Sequence, residues 1–429
     1  MRGFFLCYIC SMENRVVTIS LILLNFAVLF IFPFTKVLDI DTWRLLLFSS
    51  INSISLVYIF AVKDLSVIFN EILKSKISLA IGAFILWGLI SYFYAVNPNA
   101  VLMRVFTFIN FYISFLSIYT FIKFNKIKNM HLCIFILAIV SIQLTSSYNA
   151  YFDIISSVKY NFSFNTYLQG FFPNRNITSA IYLTQLPFII YIIIESKSKF
   201  LKVYSSFISF ALLYMVFMLG SRTAYVILLF LTIFYFIIFF INKHEQVKKH
   251  LLVFGLSLIA SLSLSLFTLG SNNDAFFVNR VQTIDFEETS TNTRLRYYSH
   301  GFNQLISSPI FGVGLGNWKI VSIERDKDNI ESYIIPYTMH NDFLEVGAEL
   351  GLIGLVIFIS IYFFALRDCW NIYNKSKNNP LFILLPGVIL IYLIDANLNF
   401  PYTRSSQLFY LAVFLSISTY LNKTDENNN

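Results

Sequence analysis

Long apolar runs separated by short polar stretches dominate the chain. A helix that crosses a bilayer needs about 20 predominantly apolar residues. Twelve runs of this kind occur, near 16–35, 45–62, 77–95, 105–122, 132–147, 177–194, 203–219, 223–241, 251–269, 343–366, 381–394 and 406–421. Their apolar residues are continuous and do not alternate with polar ones, so the pattern predicts helices and not strands. The run at 381–394 is short and contains Pro386.

The composition agrees with a membrane protein. Hydrophobic residues make up 57% of the 429-residue chain and charged residues only 13%, whereas soluble domains carry about 25% charged residues. An ordinary soluble enzyme is therefore excluded. We expect an all-α polytopic membrane protein with about 12 transmembrane helices. The net charge of +8 does not indicate a nucleic-acid partner, because the basic residues have to be assigned to the two sides of the bilayer first.

The basic residues predict the orientation. An even number of spans puts both termini on one side, and the short loops of that side hold eighteen of the 31 Lys and Arg residues. The positive-inside rule therefore predicts cytoplasmic termini. Residues 1–15 lack the pattern of a cleavable signal peptide, and Met12 is an alternative start.

The opposite side is rich in arginine. Fifteen of the eighteen inner basic residues are lysines, but nine of the thirteen outer ones are arginines. The outer arginines are Arg44, Arg104, Arg175, Arg222, Arg280, Arg294, Arg296, Arg325 and Arg404. Topology needs only charge, whereas the guanidinium fork is suited to phosphate and carboxylate. These arginines therefore either bind an anionic ligand or simply reach the interface and pair with outer carboxylates.

The longest stretch without a span, 270–342, is predicted to lie on the outer side. It divides the chain into a bundle of about nine spans at 1–269, an outer loop at 270–342 and about three spans with a tail at 343–429. A helix is predicted from Thr291 or Thr293 to Ser308, ended by Pro309. Apolar residues at helical spacing indicate a helix on the membrane surface; they are Leu295, Tyr298, Phe302 and Leu305. Arg294 and Arg296 would lie near its positively polarised start, which attracts anions.

Two motifs follow this helix. Gly312-Val313-Gly314-Leu315-Gly316 permits a tight turn and close backbone approach to a ligand, although such a run is more often structural. His340 then stands where the loop returns to a helix N-terminus. A histidine in this position could take a proton from an attacking hydroxyl, although a structural role is the commoner outcome. His300, four residues after Arg296, is a weaker candidate.

Shorter outer elements add two arginines. Gly220-Ser221-Arg222-Thr223 predicts a tight hairpin with Arg222 at the membrane boundary, and Arg175 precedes another span. Either could simply reach the interface. The charged run 324–328 more often marks a solvated surface than a metal site. No predicted span carries a charged residue or histidine near its middle, as ion-coupled transport would need, which favours chemistry at the membrane face.

Three segments together resemble the O-antigen ligase and polymerase family of bacterial inner-membrane glycosyltransferases. They are GSRT at 220–223, RLRYYSHGFNQLISSPIFGVGLG at 294–316 and HNDFLEVGAELGLIG at 340–354. The resemblance implies a GT-C-like helical scaffold, an inverting and metal-independent reaction, and no cofactor. It implies that His340 is the base that activates the acceptor and that Arg294 and Arg222 hold the donor diphosphate. Arg175, Arg104, Arg296 and Asn341 are expected substrate contacts.

The resemblance implies an O-antigen ligase-like glycosyltransferase at the periplasmic face of the inner membrane. It would transfer a glycan from undecaprenyl diphosphate to a lipid A core or another glycolipid or glycan acceptor. A polymerase of the same family is the alternative, because both reactions need an arginine-held diphosphate and an activated hydroxyl. A flippase or transporter is a third reading, disfavoured by the uncharged span cores. The glycan, the acceptor and the oligomeric state do not follow from the sequence.

Overall fold

A computed structural model describes residues 2–31, 39–158, 160, 162–241, 245–269, 289–330, 337–375 and 380–426. The helices are α1 (Arg2–Ala27), α2 (Ile40–Ala61), α3 (Lys63–Leu73), α4 (Lys76–Ile90), α5 (Pro98–Asn125), α6 (Asn129–Ser157), α7 (Arg175–Glu195), α8 (Lys199–Leu219), α9 (Arg222–Ile241), α10 (Glu245–Leu269), α11 (Thr289–Ser307), α12 (Trp318–Asp326), α13 (Asp342–Lys375), α14 (Pro380–Leu398) and α15 (Ser405–Glu426). Within the described ranges no residue lies in a strand. The all-α polytopic fold is therefore confirmed.

Ten of the described helices are long and apolar enough to cross a membrane, two fewer than the twelve predicted. The two that differ are the last in the chain. The apolar part of α14 is only Leu385–Leu398, with Pro386 inside the helix. Helix α15 is long, but its many buried polar residues lower its hydropathy; they include Ser406, Gln407, Ser416 and Thr419. Because α15 faces other helices along most of its length, it does not need a lipid-compatible surface.

Helix α7 lies at the centre of the bundle. It is buried from Ile177 to Ile194 and packs against α6, α8, α9, α10 and α14. A second group forms where α5 packs against α2, α3, α4 and α15. Helix α3 connects two spans and buries Leu65, Phe69 and Ile72, which share one face at helical spacing.

Cross-connections define one end of the bundle, which we call the His340 end. Asp41 at the start of α2 pairs with Arg404, just before α15. One turn later on α2, Arg44 donates to the carbonyl of Phe171, in the loop that leads to α7. The hydroxyl of Tyr160 in turn donates to the carbonyl of Met218 at the end of α8. The starts of α2, α7, α9 and α15 therefore lie together.

Helix α13 is broken where the sequence predicted a continuous span. Gly351 has φ 67° and ψ −171°, which divides the helix into a first segment, 342–350, and a long segment, 352–375. An added Cβ at Gly351 would lie 2.2 Å from the carbonyl oxygen of Ile310, so this position requires glycine. Glu345 and Glu349 precede the break. The apolar pattern continues through it, which explains why it was not predicted.

The prediction of span cores without ionisable residues holds only for the middle of the helices. Arg104 lies inside α5, Glu345 and Glu349 inside α13, and Asp395 inside α14. The three acidic residues are buried. Each lies toward the His340 end, where the helices meet the outer elements.

The predicted helix after 290 is present as α11, and it ends before Pro309 as expected. Its apolar residues do not share one environment. Leu295 and Phe302 are exposed, whereas Leu305 lies against Gly347 of α13 and Tyr298 bonds to the His340 segment. Arg280 and the rest of 270–288 fall outside the described residues.

Candidate active site

His340 occupies a constrained backbone position directly before α13. Its φ is 59°, in the left-handed region that non-glycine residues seldom adopt. The carbonyl of His340 accepts a hydrogen bond from the hydroxyl of Tyr298 at 3.1 Å. On the other side, the N–H of Met339 donates to Oε2 of Glu345 at 2.8 Å. An unusual conformation persists when its surroundings determine it this strongly, and such positions cluster at functional sites.

The residue after His340 begins the helix. Oδ1 of Asn341 accepts from the N–H of Leu344 at 3.0 Å, a side-chain N-cap. The amide nitrogen of Asn341 also lies 3.4 Å from Oδ1 of Asn397, at the end of α14. Asn341 was expected to contact substrate. Its oxygen is committed to the helix start, and its amide faces the exposed rim beside Asn397.

The ring of His340 is mostly shielded from solvent. It packs edge-on against Phe400, with the two ring centroids 5.0 Å apart, and its Nδ1 is buried without a hydrogen-bond partner in the described part of the chain. Burial, followed by the positive charges of Arg294 and Arg404, lowers the pKa of His340 to about 4. The imidazole is therefore neutral at physiological pH and has the form that a proton acceptor needs.

Arg294 lies within electrostatic range of His340. It is in the first part of α11, and its charge acts directly on the imidazole. Arg404 lies equally within electrostatic range of His340, although no role was assigned to it from the sequence. One histidine and two arginines from three separate elements thus share a single region.

Arg222 lies at the same end of the bundle. Helix α9 runs away from the His340 end and α14 runs toward it, and Gly387 of α14 lies against Leu231 and Tyr235 of α9. At a rise of about 1.5 Å per residue, Arg222 is roughly 13 Å above Leu231 along α9. The same rise along α14, measured from Gly387, ends close to Asn397, which contacts Asn341.

Arg296 and His300 are held by one buried carboxylate. Nε and Nη2 of Arg296 contact the two oxygens of Asp326 at 2.7 and 3.2 Å, and Nε2 of His300 lies 3.3 Å from Oδ1. Asp326 is almost fully buried. This cluster fastens α12 to α11, so the fork of Arg296 is occupied by protein.

The other two predicted contacts, Arg104 and Arg175, have different surroundings. The guanidinium carbon of Arg104 is 5.2 Å from the ring centroid of Tyr402, and Arg104 faces the buried carboxylates below the His340 segment. Arg175 is the first residue of α7, capped by Asn174. It follows the loop that Arg44 holds through the Phe171 carbonyl.

A buried acidic network supports the His340 segment from below. Oε1 of Glu345 accepts from the hydroxyl of Tyr402 at 2.6 Å, and Oδ2 of Asp342 accepts from the N–H of the same residue at 3.0 Å. Burial, followed by the charges of Glu345 and Glu349, raises the pKa of Tyr402 well above its ordinary value. The phenol therefore remains protonated and can donate.

The glycine turn at 312–316 packs against the break in α13. The N–H groups of Val313 and Gly314 donate to the carbonyls of Ala348 and Glu349 at 3.2 and 2.8 Å. Glu349 in return accepts from the N–H of Trp318 at 2.9 Å. An added Cβ at Gly312 would lie 2.4 Å from the Glu349 carbonyl carbon. The close approach that the glycines permit is thus an approach to the broken helix.

Sequence reasoning missed Asp342, Glu345, Glu349, Tyr402 and Arg404. The three acidic residues could have been predicted as a group, because their spacing of three and four residues puts them on one helical face. Nothing local marked Tyr402 or Arg404, whose partners are 57 and 363 residues away in sequence. In the described ranges no group of three His, Cys, Asp or Glu residues could hold a metal ion.

These features define a multi-pass membrane protein with a neutral histidine and several arginines at one end of its helical bundle. Residues 207–359 match a family model described as O-antigen ligase. This segment, which contains His340, Arg294 and Arg222, is similar to the O-antigen ligase family.

A curated relative gives a second comparison. Over 100 residues the chain is 28% identical to a Rickettsia conorii protein described as "Putative polysaccharide ligase". The match covers 22% of this chain and 24% of the relative, so the chain spans about a quarter of that protein's length. Both matches are thus to proteins described as ligases, of O-antigen in the family model and of polysaccharide in the relative.

Proposed function

We propose that this protein is an O-antigen ligase-like glycosyltransferase. It transfers a glycan from undecaprenyl diphosphate to a lipid A core or similar acceptor at the periplasmic face of the inner membrane, with both termini cytoplasmic. The observation that carries the proposal is His340, a mostly buried neutral imidazole whose Nδ1 has no hydrogen-bond partner in the described chain and which lies beside Arg294. Such a group can accept a proton next to a bound anion.

The chemistry follows from these groups. His340 takes the proton of an acceptor sugar hydroxyl, and the hydroxyl oxygen forms a bond to the anomeric carbon of the donor. The bond from that carbon to the phosphate oxygen breaks, and its electron pair leaves with undecaprenyl diphosphate. Arg294 and Arg222 stabilise the negative charge that grows on the diphosphate, so they bind the transition state more strongly than the ground state. Attack opposite the leaving group inverts the anomeric centre.

The decisive assay uses the full chain in lipid nanodiscs with an undecaprenyl-diphosphate-linked glycan and an acceptor glycolipid. We expect His340→Ala to abolish transfer without reducing protein yield or donor binding. His131 is exposed near the start of α6, away from the His340 end. It provides the matched control, and His131→Ala is expected to keep full activity. Wild-type transfer by His340→Ala would exclude the imidazole as the base.

A glycolipid profile separates the ligase from the polymerase of the same family. Deletion of a ligase removes long chains from the core and leaves lipid-linked polymer. Deletion of a polymerase instead leaves a single repeat unit on the core. A flippase would move donor across the bilayer without transfer, and that movement would survive His340→Ala.

A further inference from the structure

Arg404 and His340 pack against the same aromatic ring, that of Phe400. It directly follows the short turn Pro401–Thr403 that connects α14 to α15. Its guanidinium carbon is 4.7 Å from the ring centroid of Phe400, and the same ring packs against His340. Stacking on Phe400 restricts the plane of the guanidinium and therefore the direction of its N–H groups.

The hydrogen-bonding capacity of Arg404 is only partly used. Nη1 donates to Oδ2 of Asp41 at 2.8 Å, while Nε is buried and makes no hydrogen bond in the described chain. Arg296 differs, because it places two nitrogens on the two oxygens of Asp326. Asp41 therefore holds Arg404 by one nitrogen, and Nε is left without a partner in the described chain.

Two positive charges act on His340. Arg294 and Arg404 both act electrostatically on the imidazole, and the effect of each is to disfavour a second positive charge there. Asp41 is the one acidic partner of Arg404 that the described chain supplies. A bound diphosphate, which carries at least two negative charges, would bring further negative charge beside Arg404.

We propose that Arg404 is a further diphosphate-binding residue of this enzyme, and that Asp41 is the positioning residue that orients it. This proposal rests on the proposed function, since the diphosphate is that of the lipid-linked donor. Arg404 would reach the phosphate oxygens from the turn before α15, while Arg294 would reach them from α11. Negative charge between the two guanidinium groups would also favour protonation of His340 during transfer.

Binding of undecaprenyl diphosphate to the full chain in nanodiscs tests the proposal. A hydrogen bond to a charged group contributes about 1.5–3 kcal/mol, so Arg404→Gln is expected to weaken binding at least about tenfold. Arg404→Lys keeps the charge but loses the fork, so its affinity for the diphosphate is expected to lie between those of the wild type and Arg404→Gln. Asp41→Asn should weaken binding less than Arg404→Gln. Arg367→Gln, which breaks a pair with Asp368 at the far end of α13, is the control and leaves binding unchanged.

A pH profile tests whether Arg404 acts on His340 through its charge or only links α2 to α15. Loss of the Arg404 charge should move the acid limb of kcat/KM to higher pH, because one cation near His340 is gone. Wild-type diphosphate affinity and an unmoved acid limb in a folded Arg404→Gln protein would overturn the proposal and leave the proposed function intact. If the wild-type protein neither binds undecaprenyl diphosphate nor transfers glycan, the proposed function itself fails.

Discussion

Oε2 of Glu345 accepts a hydrogen bond from the N–H of Met339 at 2.8 Å, so the first turn of α13 holds the residue that precedes His340. Oε1 of the same carboxylate binds Tyr402, four positions from the end of α14. One buried side chain thereby joins the His340 segment to the segment that carries Arg404. The relative placement of base and cation depends on it.

Glu345→Gln is expected to lower kcat and leave the protein folded. The amide keeps one acceptor oxygen, but its NH2 group then faces either the N–H of Met339 or the hydroxyl of Tyr402. Two donors facing each other cost about 1–3 kcal/mol. Single-turnover transfer should fall roughly 10- to 100-fold, and thermal unfolding in nanodiscs should shift down. Glu324→Gln, at an exposed position of α12, is the control. Unchanged turnover in Glu345→Gln would show that this bond does not position His340.

The pH dependence of transfer should differ between free and donor-bound enzyme. Because the pKa of His340 is lowered to about 4, the base stays unprotonated from neutral pH down to that value, and kcat/KM should fall only near pH 4. Bound diphosphate offsets the charges of Arg294 and Arg404, so the acid limb of kcat should lie at higher pH. The two profiles are measured with one donor and one acceptor. Coincident acid limbs would contradict this electrostatic account.

Arg222→Lys and Arg294→Lys should both damage transfer, although each keeps its charge. Lysine lacks the planar fork that matches phosphate oxygens, and we expect losses of about tenfold or more in kcat/KM for each. Arg325→Lys, at an exposed position of α12, tests the same change away from His340 and should be silent. Wild-type rates for both site variants would reduce these arginines to a topological role.

Chelation tests the expected absence of a metal requirement. Treatment with EDTA is expected to leave transfer unchanged, because His340 and the arginines would supply the proton transfer and the charge stabilisation. Donor and acceptor are held constant, and excess Mg²⁺ is added back as the control. Inhibition that Mg²⁺ reverses would direct attention to the acidic residues at 324–328.

The sequence predicted well whatever depends on local pattern. Apolar runs located the spans, Pro309 ended α11, and the segments around Arg294 and His340 indicated the family whose model matches residues 207–359. Contacts between distant residues were not readable, because no local pattern links Asp41 to Arg404 or Glu345 to Tyr402. The break at Gly351 was hidden by the apolar residues on both sides. The catalytic roles and the division at 270 and 342 remain predictions.

Gly351→Ala should destabilise the protein and reduce transfer, because it affects the break that orients the first segment of α13. The position has φ 67°, and the new Cβ would meet the carbonyl of Ile310 at 2.2 Å. Strain of this kind costs about 1–3 kcal/mol. Gly255→Ala is the matched control: nothing lies within 4 Å of an added Cβ there, and replacing a helical glycine should add about 0.5–1 kcal/mol of stability. Unfolding temperatures of the two variants should therefore move in opposite directions. A stabilised Gly351→Ala protein with full activity would mean that α13 can run unbroken without disturbing His340.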